Sequence, residues 1–163
     1  MALALSCGPT WGQNAAEVQQ LLRAGKMPEA MLKLEQALTK QPASVELRFL
    51  KAVLLGEQQR TPEAIEHYLA LIHDHPHLAE PYNNLGVLYA AEKQYDRARA
   101  AFEMAVRNRP GYAAAHENLA DTYAALAAEA YTRALDLDGQ NRLLGEKLAL
   151  TRRLLASPLP ERR

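Results

Sequence analysis

His73, His75 and His77 alternate around Asp74 in the stretch IHDHPH, and imidazoles beside a carboxylate are ligands a transition-metal ion takes. Their position points elsewhere. They close a helical stretch and run into Pro76, where histidines cap carbonyls and face solvent. No serine or cysteine stands in a nucleophile turn, and no glycine-rich phosphate loop, HExxH or pocketed carboxylate pair is present. The residue types therefore predict no catalytic group, no metal and no cofactor. With one cysteine, Cys7, the chain has no internal disulfide framework and no thiolate metal cluster.

A non-enzyme needs surface, and surface is set by the elements that carry it. The chain has 163 residues, 48% of them hydrophobic and 6% aromatic, a composition that suits one helical domain with a small-residue core. Nineteen basic residues balance nineteen acidic ones, so no overall field attracts nucleic acid. No window approaches the roughly 18 apolar residues of a membrane span. Residues 1–13 stand apart, since Lys and Arg are absent until Arg23. Ala2 to Leu5 fits the end of an apolar leader core and Thr10-Trp11-Gly12 a small-x-small cleavage site, without a charged start. This segment is read as a signal-like leader or an unstructured N-terminus, and the first reading places the protein in the periplasm.

Internal repetition decides the fold class. Pro42, Pro76 and Pro110 are 34 residues apart, as are Ala30, Ala64 and Ala98, and Leu34, Tyr68 and Phe102. The best copy, YNNLGVLYAAEKQYDRARAAFEMAVRNRP, carries Tyr82, Leu85, Gly86, Tyr89, Ala98, Phe102, Ala105 and Pro110. In these positions the chain resembles the tetratricopeptide repeat family, and bacterial cell-envelope members in particular. The resemblance implies an all-α fold, an α-solenoid of antiparallel helix pairs forming a superhelix, over residues 14–138. Its copies fall at about 14–44, 45–78, 79–112 and a shortened 113–138.

Each residue type has a physical task in that frame. Gly86 and Ala98 are expected where paired helices cross closely, with Tyr89 and Phe102 filling the space beside them. Pro110 ends a helix by removing an amide donor, whereas Pro28 and Pro62 suit a first turn. Asn14 with Glu17 reads as a cap for the first helix.

The fourth copy is short. Its aromatics Tyr123 and Tyr131 are 8 residues apart against 13 for Tyr89 and Phe102, so five residues are missing where the turn belongs. Positions 116, 119, 120, 123, 127, 130, 131, 134 and 135 then make one stripe of a single helix from about Ala114 to Leu137. Gly139 marks the next turn, and residues 139–156 are expected to cap the array. There Leu144, Leu148 and Leu155 form one apolar stripe and Leu143, Leu150 and Leu154 a second, enough to touch two neighbours. The alternative is a projecting helix that pairs with a partner or a second copy, giving a homodimer through the C-terminal helices. Residues 157–163 read as a flexible tail.

The resemblance also implies a concave groove for a partner protein or peptide. Carried over by position, it is lined by Glu46, Phe49, Val53 and Gly56, then Glu80, Asn83, Val87 and Ala90, then Ala114, Glu117, Asp121 and Ala124. The cationic set with which some family members hold a C-terminal carboxylate is absent, and Glu117 and Asp121 stand where it would be. An apolar patch at Phe49, Val53 and Val87 beside an acidic end suits a basic, apolar segment. The expected function is a non-catalytic scaffold or adaptor of the bacterial cell envelope. A self-assembling structural subunit and a targeting module of an envelope enzyme remain as alternatives.

Overall fold

Every regular element among the described residues is helical, in the order α1 (Gln13–Arg23), α2 (Met27–Lys40), α3 (Val45–Glu57), α4 (Thr61–Asp74), α5 (Ala79–Ala91), α6 (Tyr95–Asn108), α7 (Ala113–Leu137) and α8 (Arg142–Ala156). This computed structural model describes residues 12–156. Most of the expected leader, residues 1–11 with Cys7 and Trp11, and the expected tail 157–163 lie outside the described residues. Each helix packs on the next, and the first helices of successive pairs also touch: α1 on α3, α3 on α5, α5 on α7. The array is an α-solenoid.

One backbone conformation makes the pairs. Gly25, Gln59 and Lys93 stand 34 residues apart and take φ values of 70°, 61° and 60°. A left-handed residue there lets the following amide reach back and close the helix end. Lys26, Arg60 and Gln94 accordingly donate to the carbonyls of Leu21, Leu55 and Tyr89 at 2.9, 2.9 and 2.8 Å. Pro28 and Pro62 sit in the first turns of α2 and α4, where a missing amide costs nothing.

In α7 no described residue takes that conformation, and the helix runs 25 residues unbroken. Its far end nevertheless closes like the end of an ordinary pair. Gln41, His75, Arg109 and Asp138 donate to Ala37, Leu71, Ala105 and Ala134 at 2.9, 2.8, 3.0 and 2.9 Å. The first three donors are 34 residues apart and the last follows after 29. The fourth repeat thus keeps its beginning and its end, and lacks its turn.

Three expectations need correction. Helix α1 begins behind Gly12 with no side-chain cap, so Asn14 lies inside the first turn, and Glu17 pairs with Lys33 at 2.5 Å. On α7 the buried face is Ala115, Asn118, Thr122 and Ala125, about one residue out of phase with the expected stripe. Tyr123 is 48% exposed, because in this repeat the helix it would have packed against is continuous with its own. On α8, Leu148 is buried and Leu144 half-buried, but Leu155 of the same expected stripe is exposed, as are Leu143, Leu150 and Leu154 of the other. Among the described residues α7 is the only helix touching α8, so Leu144 and Leu148 find a neighbour and the second stripe does not.

Packing within a pair is tightest at Gly86. A Cβ built there would fall 2.6, 2.8 and 2.8 Å from three carbons of the Phe102 ring, and Phe102 and Ala98 are fully buried. Gly25 has no neighbour within 4 Å of such a Cβ, so its requirement is conformational alone. Gly25→Ala is expected to cost about 1 kcal/mol in urea unfolding. Gly86→Ala is expected to cost roughly 1–3 kcal/mol by overpacking, with part recovered when Phe102→Leu is added. A Gly86→Ala cost no larger than that of Gly25→Ala, or no recovery, contradicts the contact.

Candidate partner-binding surface

The first helices of successive pairs, α3, α5 and α7, lie side by side, and the positions expected to line a groove on them divide into two sets. Phe49, Val53, Asn83, Val87 and Ala90 are buried. Phe49, Val53, Val87 and Ala90 belong to the cluster built from α3, α4, α5 and α6, and Phe49 meets the edge of Tyr68 with ring centroids 5.8 Å apart. The direct contact of α3 with α5 turns these positions into a seam. They do not present the open apolar patch that their spacing suggests.

Asn83 has a different task. Asn118 on α7 donates to its Oδ1 at 3.0 Å, its own Nδ2 donates to Oδ1 of Asn84 at 3.2 Å, and Asn84 donates to the Tyr68 hydroxyl at 3.1 Å. Thr122 closes the row by donating to the Asn118 carbonyl at 2.8 Å. This ladder of buried polar groups ties α4, α5 and α7 together, and each bond is worth more for being out of water. Reasoning from sequence misses Asn84 and Asn118 as a pair, although their 34-residue interval is the signal that could have found them. Burial pushes the Tyr68 phenol well above its ordinary range, with the Asn84 bond opposing the shift.

The second set is acidic and reaches solvent. Glu46 accepts from the Ser44 hydroxyl at 2.9 Å beside the cap in which Ser44 accepts from the Leu47 amide at 3.4 Å. Glu80 pairs with Arg109. Glu117 is exposed and Asp121 half-buried, and among the described residues neither carboxylate is in an ion pair. Burial pushes the Asp121 carboxyl above the usual aspartate range. Gly56, Ala114 and Ala124, half-buried, add small surfaces along the same side. This side is therefore sealed in the middle and carries acidic side chains at the α7 end.

The histidines form no centre. Asp74 is held by Arg48 at 2.7 Å, His75 caps α4, and its ring lies 6.2 Å from that of His77. Among the described residues no three His, Cys, Asp or Glu side chains are gathered to hold a metal ion, and no described helix is long and apolar enough to cross a membrane.

Known proteins supply a frame for this geometry. Family models described as tetratricopeptide repeat match residues 16–79 and 79–112. A curated relative from Arabidopsis thaliana, the chloroplastic tetratricopeptide repeat domain-containing protein PYG7, is 41% identical over 75 residues, covering 43% of this chain and 25% of that protein. The chain therefore matches a quarter of that relative's length. Among solved structures, a thermophilic TPR protein of Thermus thermophilus superposes with a TM-score of 0.66 at 21% identity, over 88% of this chain and 81% of that one. The first TPR of Spaghetti (RPAP3) bound to an HSP90 peptide gives 0.64 at 17% identity, over 70% and 90%. PilF of Pseudomonas aeruginosa gives 0.63 at 21% identity, over 85% and 65%. Likeness at these identities shows the fold.

Two measurements test the ladder. Asn83→Leu strands the donor of Asn118 and the acceptor of Asn84 and is expected to cost roughly 1–3 kcal/mol in guanidinium unfolding; unchanged stability contradicts the bonds. A phenol with a raised folded pKa contributes stability that is complete below its unfolded value, about pH 10, and is lost as the pH rises further. The parent should lose stability above about pH 10 more steeply than Tyr68→Phe.

Proposed function

The chain belongs to the tetratricopeptide repeat family, whose arrays are protein-interaction modules, and on that premise we propose that it is a non-catalytic adaptor holding a basic segment of a partner protein at the acidic end of its concave face. The observation that carries this reading is the pair Glu117 and Asp121. They lie one helical turn apart on α7, with no ion pair among the described residues and with Asp121 partly desolvated. A desolvated carboxylate beside a second negative charge raises the free energy of the unbound surface, and a lysine or arginine placed between them relieves it. The RPAP3 structure of like fold is bound to an HSP90 peptide, SRMEEVD, so the fold can hold a peptide, although that sequence is acidic and this surface suits the opposite charge.

The setting is the bacterial cell envelope. The sequence of residues 2–12 supports export through its apolar stretch and small-x-small site.

Charge and stability should separate at Asp121. An acid whose folded pKa is raised adds stability at low pH and loses it as the pH climbs through the folded value. Asp121→Asn should therefore leave stability at pH 7 unchanged or higher while weakening the partner. The decisive comparison is affinity capture from a cell-envelope extract by the full chain and by a Glu117→Lys/Asp121→Lys variant of equal helix content. A partner held by the parent and lost by the variant is the expected result; the same partner held by both overturns the site. Residues 1–20 fused to alkaline phosphatase are expected to yield periplasmic activity in a Gram-negative host, and a fusion retained in the cytoplasm overturns the export reading.

A further inference from the structure

One face of α8 carries a row of exposed leucines. Leu143, Leu150 and Leu154 are 58%, 59% and 65% exposed and, with Lys147 between the first two, follow alternate steps of four and three along the helix. That is the spacing of a coiled-coil seam. Other large exposed side chains, such as Leu32 on α2 and Leu69 on α4, stand singly and need no partner.

We propose that α8 pairs antiparallel with α8 of a second copy of this chain. The argument for that occupant is a match of charges in one register. Antiparallel alignment that sets Leu143 opposite Leu154 of the second copy also sets Lys147 opposite Leu150. The same alignment brings Glu146 beside Arg153 of the second copy, and the two-fold axis repeats each contact. Glu146 and Arg153 flank the leucine seam on one side, both exposed, so two opposite-charge pairs frame four layers, two of Leu143 on Leu154 and two of Lys147 on Leu150. In a parallel pair the two-fold axis would place these flanking charges of the two copies on opposite sides of the seam, where they do not meet. Lys147 fits an edge of the seam because its amine reaches over the Tyr131 ring of α7, 5.9 Å from the centroid, leaving its methylene stem against leucine. Within the chain Glu146 meets Arg142 at 3.3 Å on an exposed face and Arg153 has a contact of its own; solvent screens such exposed pairs, and each side chain can share a second partner across the seam. A net charge of zero adds no general repulsion between copies.

Sedimentation equilibrium of the full chain, at loadings from about 5 to about 500 µM to cover weak association, reads this directly. The expected result is a reversible monomer–dimer equilibrium. Leu150→Glu/Leu154→Glu should be monomeric throughout with unchanged far-ultraviolet circular dichroism. Glu146→Arg alone and Arg153→Glu alone should each weaken dimerisation by roughly tenfold, as expected for two pairs made repulsive, and the double exchange should restore it. Restoration is specific to the antiparallel register and keeps the test valid if the leucine variant misfolds. A parent that stays monomeric overturns the proposal. So does a dimer that persists in the folded leucine variant, and so does a charge exchange without restoration, which assigns the stripe to another partner.

Discussion

A helical chain can reverse sharply only where one residue leaves the helical region, and that constraint governs this molecule. At Gly25, Gln59 and Lys93 the backbone turns left-handed, the next amide reaches back five residues, and two helices are laid side by side. Everything characteristic of the array follows from that reversal. It lets the Phe102 ring lie on Gly86 and sets α3 and α5 edge to edge. Gln59 and Lys93 hold the conformation without being glycine, which costs each of them about 1 kcal/mol, so packing must enforce it. Where the turn residues are gone, the chain continues straight and α7 is the result.

The straight helix changes what its neighbours can bury. Tyr123 keeps the repeat's aromatic but has lost the helix it would pack on, and its hydroxyl donates to Glu103 at 3.1 Å instead. The first half of α7 joins the array through Asn118 and Thr122, so a row of hydrogen bonds replaces the expected apolar stripe. Its second half meets α8, where Arg152 donates to the Thr132 hydroxyl at 3.5 Å. A solenoid must cover its last apolar face or share it, and α8 covers one side of α7 while presenting a leucine face of its own.

Much of the fold is legible in the residues. The 34-residue interval of prolines, alanines and aromatics locates the pairs, and the five-residue deficit between Tyr123 and Tyr131 locates the continuous helix. The details that escape are matters of rotation and burial. Placing Tyr123 and Leu119 on a common core face assumes a second helix in the repeat, and without it the buried face shifts to Asn118 and Thr122. The groove positions Phe49, Val53, Val87 and Asn83 carry a family pattern of exposure, but how closely two helices approach depends on all the side chains between them. Glu117 and Asp121 combine sequence position with access to solvent and with the lack of an ion pair among the described residues.

The continuity of α7 is the claim on which the exposed acids and the open α8 face both rest, and a distance across it tests that most directly. Spin labels at Ala113→Cys and Asp136→Cys, with Cys7→Ser, can be measured by double electron–electron resonance. A rise of 1.5 Å per residue places the labelled positions about 35 Å apart with a single narrow distribution. A helix pair closed by a turn would bring them within about 15 Å, near the spacing of packed helices, and that distance would contradict the account.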